Sequence, residues 1–112
     1  MNWALVGAVF GLIGVAAGAF GAHGLKSTLS VERLETFEVA VRYQMYHAIA
    51  LVLAGMLHAD RAAWCFFLGI MIFSGSLYLL VLLEQRWLGA ITPIGGLLLM
   101  GGWLLLALQA KT

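Results

Sequence analysis

Apolar residues fill four long stretches of this chain, at 3–22, 39–57, 62–83 and 87–108, and polar residues gather in the intervals between them. Crossing the hydrocarbon of a bilayer takes about 20 residues at roughly 1.5 Å each, so each stretch is long enough to span. No Asp or Glu falls inside any of them, and Arg42 lies at the edge of the second. Membrane β-strands would be about half this length and would alternate in polarity. His58, Ala59, Asp60 and Arg61 connect the second stretch to the third, and Glu84, Gln85 and Arg86 connect the third to the fourth. Connections this short make successive helices run antiparallel and side by side. The expected fold is an all-α membrane protein, a four-transmembrane-helix antiparallel bundle with short connections, in a single domain over residues 1–112.

The first connection is longer and carries signals of its own. Ser30 is placed to cap a helix, with Glu32 and Glu35 near its positive end. Leu34, Phe37, Val41, Met45 and Ala48 then recur at helical spacing. The second helix is therefore expected to begin near Val31, in water, and to enter the hydrocarbon near Val39. Glu38 and Arg42 are four residues apart there, in the order that suits pairing on a helix, and Arg42 can also reach lipid phosphates with its long stem. In the fourth stretch, Pro93 points to a helix start or a mild kink.

Small residues follow a stricter pattern. Ala4, Gly7, Gly11, Gly14, Gly18 and Gly21 recur at alternating intervals of three and four, which places them along one face of the first helix. Missing side chains let backbones approach, and in a membrane close packing takes over the part that hydrophobic burial plays in water. This face is expected to meet another helix. Gly95 and Gly96 are further packing candidates in the fourth stretch, although its glycines hold no single stripe.

Composition sharpens the class. Of 112 residues, 63% are hydrophobic and 10% charged, against about 25% charged in soluble domains. Formal charge is +1, with six Lys and Arg scattered along the chain, so there is no basic patch for nucleic acid. Cys65 is alone among apolar neighbours, where a thiol packs as a small apolar group. His23, His47 and His58 form no metal-binding spacing, and no metal or cofactor is expected. No Lys or Arg precedes the first stretch, which therefore reads as a retained span and not as a cleaved signal. Lys26, Arg33 and Arg86 weight the first and third connections toward the cytoplasm, leaving both termini outside. Trp3, Trp64 and Trp87, near span ends, suit interfacial anchoring, as does Trp103 if it lies toward the headgroups.

Polar groups in the stretches are the candidate chemistry. Tyr43 and His47 share a helix face with Gln44 beside them, Ser74 and Tyr78 form a similar pair, and Thr92 and His23 lie in the fourth and first helices. One reading is a polar pocket around Tyr43, His47 and Tyr78, able to hold a headgroup, a ring or a proton in a small transporter or channel subunit. The other is hydrogen bonding that holds the bundle together, because an unpaired polar atom in hydrocarbon is costly. No intramembrane acid completes a catalytic relay beside Ser74, Gly75 and Ser76, so an enzyme is the less favoured reading.

Several motifs together point to a family. Gly-Ala-Phe-Gly-Ala-His-Gly-Leu-Lys at 18–26, Tyr-Gln-Met-Tyr-His-Ala at 43–48, Phe-Ser-Gly-Ser-Leu-Tyr at 73–78, Thr-Pro-Ile-Gly-Gly at 92–96 and Gly-Trp at 102–103 span nearly the whole chain. In this order they resemble the small bacterial membrane proteins of domain of unknown function 423, the YgdD/YwdK-like proteins. The resemblance implies a multi-pass protein of the bacterial inner (plasma) membrane and brings no substrate or reaction with it. It adds weight to His23, Tyr43, Gln44, His47, Ser74, Tyr78, Thr92 and Pro93 as a shared site, with Arg42 at its edge. Membrane lipid, a second copy or another membrane protein are the expected partners. If the spans are right, washing membranes with alkaline carbonate leaves the chain in the pellet. Its release as a soluble monomer would remove every span proposed above.

Overall fold

The computed structural model describes residues 1–111, and every regular element among them is helical. Helix α1 runs over Trp3–Leu25, and its start is capped by Asn2, whose side chain accepts the Leu5 N–H at 3.0 Å. Helix α2 covers Val31–Met56, with the Ser30 hydroxyl accepting the Arg33 N–H at 3.2 Å and Glu32 in the first turn. Helices α3 and α4 cover Asp60–Leu83 and Leu88–Ala110. Two of the turns use left-handed backbone at non-glycine residues, His58 and Glu84, each with φ of 55°.

Within α1 the chain widens to π-helical hydrogen bonding over Ala16–Gly21. The Ala22 N–H reaches back five residues to the Ala17 carbonyl. Such a turn accommodates one extra residue without breaking the helix. Pro93 lies inside α4, in its second turn, so the helix starts upstream of it. The Leu88, Gly89 and Ala90 N–H groups bond three residues back, to Gln85, Arg86 and Trp87, which tightens that start.

Neighbours in the chain pack as neighbours in space: α1 on α2, α2 on α3, and α3 on α4. The molecule measures 49 × 27 × 20 Å, the proportions of a short bundle. Glycine sets the two outer interfaces. A Cβ on Gly7 would stand 2.7 Å from the Ala48 carbonyl oxygen, one on Gly18 3.0 Å from Val41, and one on Gly21 3.2 Å from Phe37. Gly14 lies against Met45, and Gly55 of α2 returns the favour at 2.7 Å from the Ala4 nitrogen. Positions rise on α1 as they fall on α2, so one face of α1 lies along α2 in antiparallel register. Gly11 stands outside this contact and has open space where its Cβ would be. Between α3 and α4, Gly95 meets the Phe73 backbone, Gly102 the Phe66 ring and Gly69 the Leu99 side chain, while Gly96 makes only ordinary contact.

Three helices, α1, α3 and α4, are long and apolar enough to cross a membrane. The sequence expectation was four such segments, and α2 is the exception. It has the length, but Glu32, Arg33, Glu35, Glu38 and Arg42, followed by Tyr43, Gln44 and His47, lower its apolar average. The reason lies in its position. Flanked by α1 and α3, α2 buries Phe37, Gln44, His47 and Leu51, so the amide and the imidazole meet protein, while Glu32, Glu35, Glu38 and Arg42 stay exposed toward its start. The outward faces of α1 and α4 are apolar instead: Leu12 is 71% exposed, Phe20 78%, Leu97 68% and Met100 68%. Apolar surface of this extent is what hydrocarbon accepts and water does not.

Two tryptophans depart from the anchoring role expected of them. Trp3 is buried, edge-on to Trp64 at 4.9 Å between ring centres and beside Phe67. Trp103 turns its indole N–H inward to a hydrogen bond with His47. Trp64 and Trp87 are exposed, and so is the outer part of the Trp103 ring, at 45%.

Contact geometry separates the glycines by experiment. Gly7→Ala should lower the stability of the detergent-solubilised protein by about 1–3 kcal/mol, the usual cost of overpacking. Gly11→Ala should leave it unchanged or raise it by up to about 1 kcal/mol through helix propensity. Thermal melts followed by circular dichroism would measure both, and equal loss in the two variants would contradict the interface described here.

Candidate functional site

The polar side chains of α2 do not share one cavity. They form two hydrogen-bonded junctions, each tying α2 to other helices. At the first, the Gln44 amide N–H donates to the Phe10 carbonyl of α1 at 2.9 Å, and its carbonyl oxygen accepts the Tyr78 hydroxyl of α3 at 2.6 Å. One amide thus connects three helices. The Ser74 hydroxyl adds a bond to the Ala40 carbonyl at 2.7 Å, from α3 back to α2. Phe37 packs against the Tyr78 ring at 5.6 Å.

At the second junction His47 uses both ring nitrogens. Nδ1 lies 2.7 Å from the Tyr43 carbonyl, one turn earlier, and Nε2 lies 3.0 Å from the Trp103 indole nitrogen of α4. A carbonyl only accepts and an indole N–H only donates. The ring is therefore neutral, with its proton on Nδ1 and its Nε2 lone pair on the indole. Phe66 and Trp103 stand 5.7 and 5.9 Å from it, centre to centre. This is a buried histidine whose hydrogen-bonding capacity is fully used.

The remaining sequence candidates are dispersed. Tyr43 faces outward, 40% exposed, with its ring 4.7 Å from Phe73 and beside Tyr46. Thr92 of α4 pairs with Ser76 of α3 at 2.5 Å and turns back to the Leu88 carbonyl. His23 is exposed on the last turn of α1. Arg42 is exposed as well, and no ion pair joins it to Glu38, so the interfacial pair expected between them is not formed. Tyr43 and His47 stay adjacent, their rings stacked with centres 6.2 Å apart, whereas Tyr78 points away to Gln44, so the three do not surround one cavity. Among the described residues no group of three His, Cys, Asp or Glu gathers as metal ligands.

Several of the key partners carry no signal in the sequence. Trp103 and His47 are 56 residues apart and meet only because α4 leans toward α2. The Phe10 carbonyl is a backbone atom with no side-chain signature. Arg33 looks like an ordinary interfacial cation, yet its guanidinium hydrogen-bonds the Val81 carbonyl near the end of α3 and pairs with Glu84 at 3.4 Å. Terminal carbonyls of a helix lack partners within it, and a cation there also meets the negative end of the dipole. The contact puts the first and third connections at the same end of the bundle. At the other end Gln109 donates to the Leu57 carbonyl at 3.0 Å.

Magnitudes decide what these junctions do. A hydrogen bond between membrane helices contributes about 0.6 kcal/mol on average and up to about 1.7, whereas stranding one buried partner costs about 1–3 kcal/mol. The junctions thus contribute little net stability but strongly disfavour any other register. Three of the sequence candidates, Gln44, Ser74 and Tyr78, share one side of an open cleft of about 230 Å³ beside the first junction, and Phe10, Ile13, Ile70 and Met71 make the rest of its lining mainly apolar. Its lining suits an alkyl chain better than a polar solute.

Comparison with known proteins finds relatives named membrane proteins, in keeping with the apolar build. The sequence profile described as "Protein of unknown function (DUF423)" matches residues 17–96. A UPF0382 membrane protein of Staphylococcus haemolyticus is 47% identical over 94% of this chain and 91% of its own length. One from Staphylococcus saprophyticus is 44% identical over 93% and 92%. The UPF0382 membrane protein YwdK of Bacillus subtilis is 39% identical over 95% and 93%. No solved structure matches the chain.

The Gln44–Tyr78 bond predicts non-additive mutants. Gln44→Leu and Tyr78→Phe should each destabilise the protein, and the double variant should cost less than their sum by about 0.5–1.5 kcal/mol. Unfolding in mixed micelles with increasing SDS would give the cycle. Strict additivity would mean that the bond does not form.

Proposed function

This chain belongs to the DUF423 family, and from that membership we propose a non-enzymatic, multi-pass protein of the bacterial plasma membrane whose work is done at its lipid-facing surface. All four helices cross the bilayer in this reading, including α2, which its neighbours shield. The first and third connections face the cytoplasm. The surface contacts lipid and, through it or directly, another membrane protein or a second copy.

One observation carries the reading: the interior polar side chains are bonded to one another. Gln44, His47, Ser74, Ser76, Tyr78 and Thr92 each have a partner on another helix. Among the described residues no buried side-chain nitrogen or oxygen is left without one. A carrier needs a group free to exchange a proton or an ion between two faces, and a hydrolase needs a base beside a nucleophile. Here the groups that sequence offers for those tasks hold helices together.

Four crossings make a labelling pattern. In a Cys65→Ala background, single cysteines at Ser27 and Gln85 should react with an impermeant maleimide from the cytoplasmic face only. Cysteines at His58 and Lys111 should react from the opposite face only. Labelling of Ser27 and His58 from the same face would show that α2 does not cross. Crosslinking in native membranes should then recover a reproducible lipid or protein partner, and recovery no better than that of a scrambled-helix control would count against the surface role.

A further inference from the structure

Beside the π-helical turn of α1, a cleft of about 250 Å³ is lined by Gly18 and Ala22 of α1 and by Glu38, Val41 and Arg42 of α2. Its walls on the α1 side are almost bare backbone, so a ligand can approach closely. Its α2 side carries one negative and one positive side chain. They are four residues apart on one helix, both exposed, and no ion pair joins them. The cleft therefore presents two separated charges of opposite sign.

Depth orders these charges. α2 starts at Ser30 in the connection and runs inward, so Glu38 lies nearer the water and Arg42 roughly 6 Å deeper. Gly18, which packs on Val41, is seven residues from the end of α1 at Leu25, roughly 10 Å. Headgroup layers occupy about 5–8 Å on each side of the hydrocarbon. Arg42, three residues past the expected entry point at Val39, has its backbone roughly 5 Å inside the hydrocarbon, from where its long stem reaches back to the lipid phosphates. A guanidinium there is costly without an anion, and among the described residues none, Glu38 included, is in ion-pair contact with it.

Resting on the lipid-facing reading above, we propose that this cleft binds the headgroup of a phospholipid carrying a phosphate and a primary ammonium. Arg42 takes the deeper phosphate through its planar donors. Glu38 takes the shallower ammonium. The order phosphate below, ammonium above is the order of such a headgroup in its own bilayer, so the lipid docks without turning. Gly18 and Ala22 leave room for the glycerol region beside α1.

The test uses the full chain, purified in detergent and mixed with equal amounts of phosphatidylethanolamine and phosphatidylglycerol, with retained lipid read by native mass spectrometry. Wild type should retain phosphatidylethanolamine in preference. Arg42→Gln should lower its retention about fivefold, the effect of one basic side chain at an anionic surface, and Arg42→Lys should recover most of it. Glu38→Gln should remove the preference for phosphatidylethanolamine over phosphatidylglycerol while keeping total lipid. Unchanged retention in Arg42→Gln, with an unchanged melting temperature, overturns the site. An unchanged preference in Glu38→Gln overturns the role of the ammonium. Displacement of the lipid by the same concentration of soluble glycerophosphoethanolamine overturns the assignment to a bilayer lipid. Wild type that retains neither lipid but still crosslinks to a membrane protein overturns this site and leaves the surface role standing, and failure of both removes the two together.

Discussion

A polar atom taken out of water must find a partner, and α2 is built around that requirement. It places an amide, an imidazole, two arginines and three glutamates in a helix whose neighbours are almost wholly apolar. Gln44 meets it by reaching α1 and α3 together, His47 by bonding its own helix and α4. Once those bonds are made, the relative rotation of all four helices is set, since turning any one of them would strand a donor or an acceptor. Stability comes mainly from packing, and the polar junctions choose which packing.

Glycine makes that packing close enough for the junctions to form. Gly7, Gly14, Gly18 and Gly21 bring α1 onto α2, and Gly95 and Gly102 bring α4 onto α3. With side chains at those points, the Gln44 amide would sit too far from the Phe10 carbonyl, and the Trp103 indole too far from His47. The two devices depend on each other: small residues permit approach, and hydrogen bonds fix its register. Gly11 shows that periodicity alone does not define a contact, because it keeps the spacing and faces open space.

The same economy bears on function. The buried polar side chains Gln44, His47, Ser74 and Ser76 are hydrogen-bonded between helices, the observation on which the non-enzymatic proposal rests. Among the exposed charges, Arg42 and Glu38 lie on α2 near the expected bilayer boundary. Arg33, also at that end, is committed to the Val81 carbonyl and Glu84. What distinguishes the outer surface is thus a broad apolar band with a small bipolar cleft beside α1 and α2, the features on which the proposed lipid-facing role rests.

How much of this was legible beforehand follows from the range of each interaction. Local signals read directly: helix lengths from apolar runs, the start of α2 from Ser30, short connections and hence antiparallel neighbours. The small-residue face of α1 was visible as spacing, though not which of its glycines touch. Membership in the family was legible from motifs along nearly the whole chain. The polar residues were visible as a set, but their grouping was not, because a pocket and a pair of junctions require the same side chains. Only the folded chain separates Tyr78 from Tyr43 and His47, gives His47 its Trp103 and Gln44 its Phe10 carbonyl, and leaves Arg42 apart from Glu38. Those outcomes, and whether α2 is shielded by its neighbours, depend on how one helix is rotated against another, set by atoms far apart in the chain, whereas the apolar segments of α1, α3 and α4 follow from the transfer of each from water to hydrocarbon, which its own residues decide.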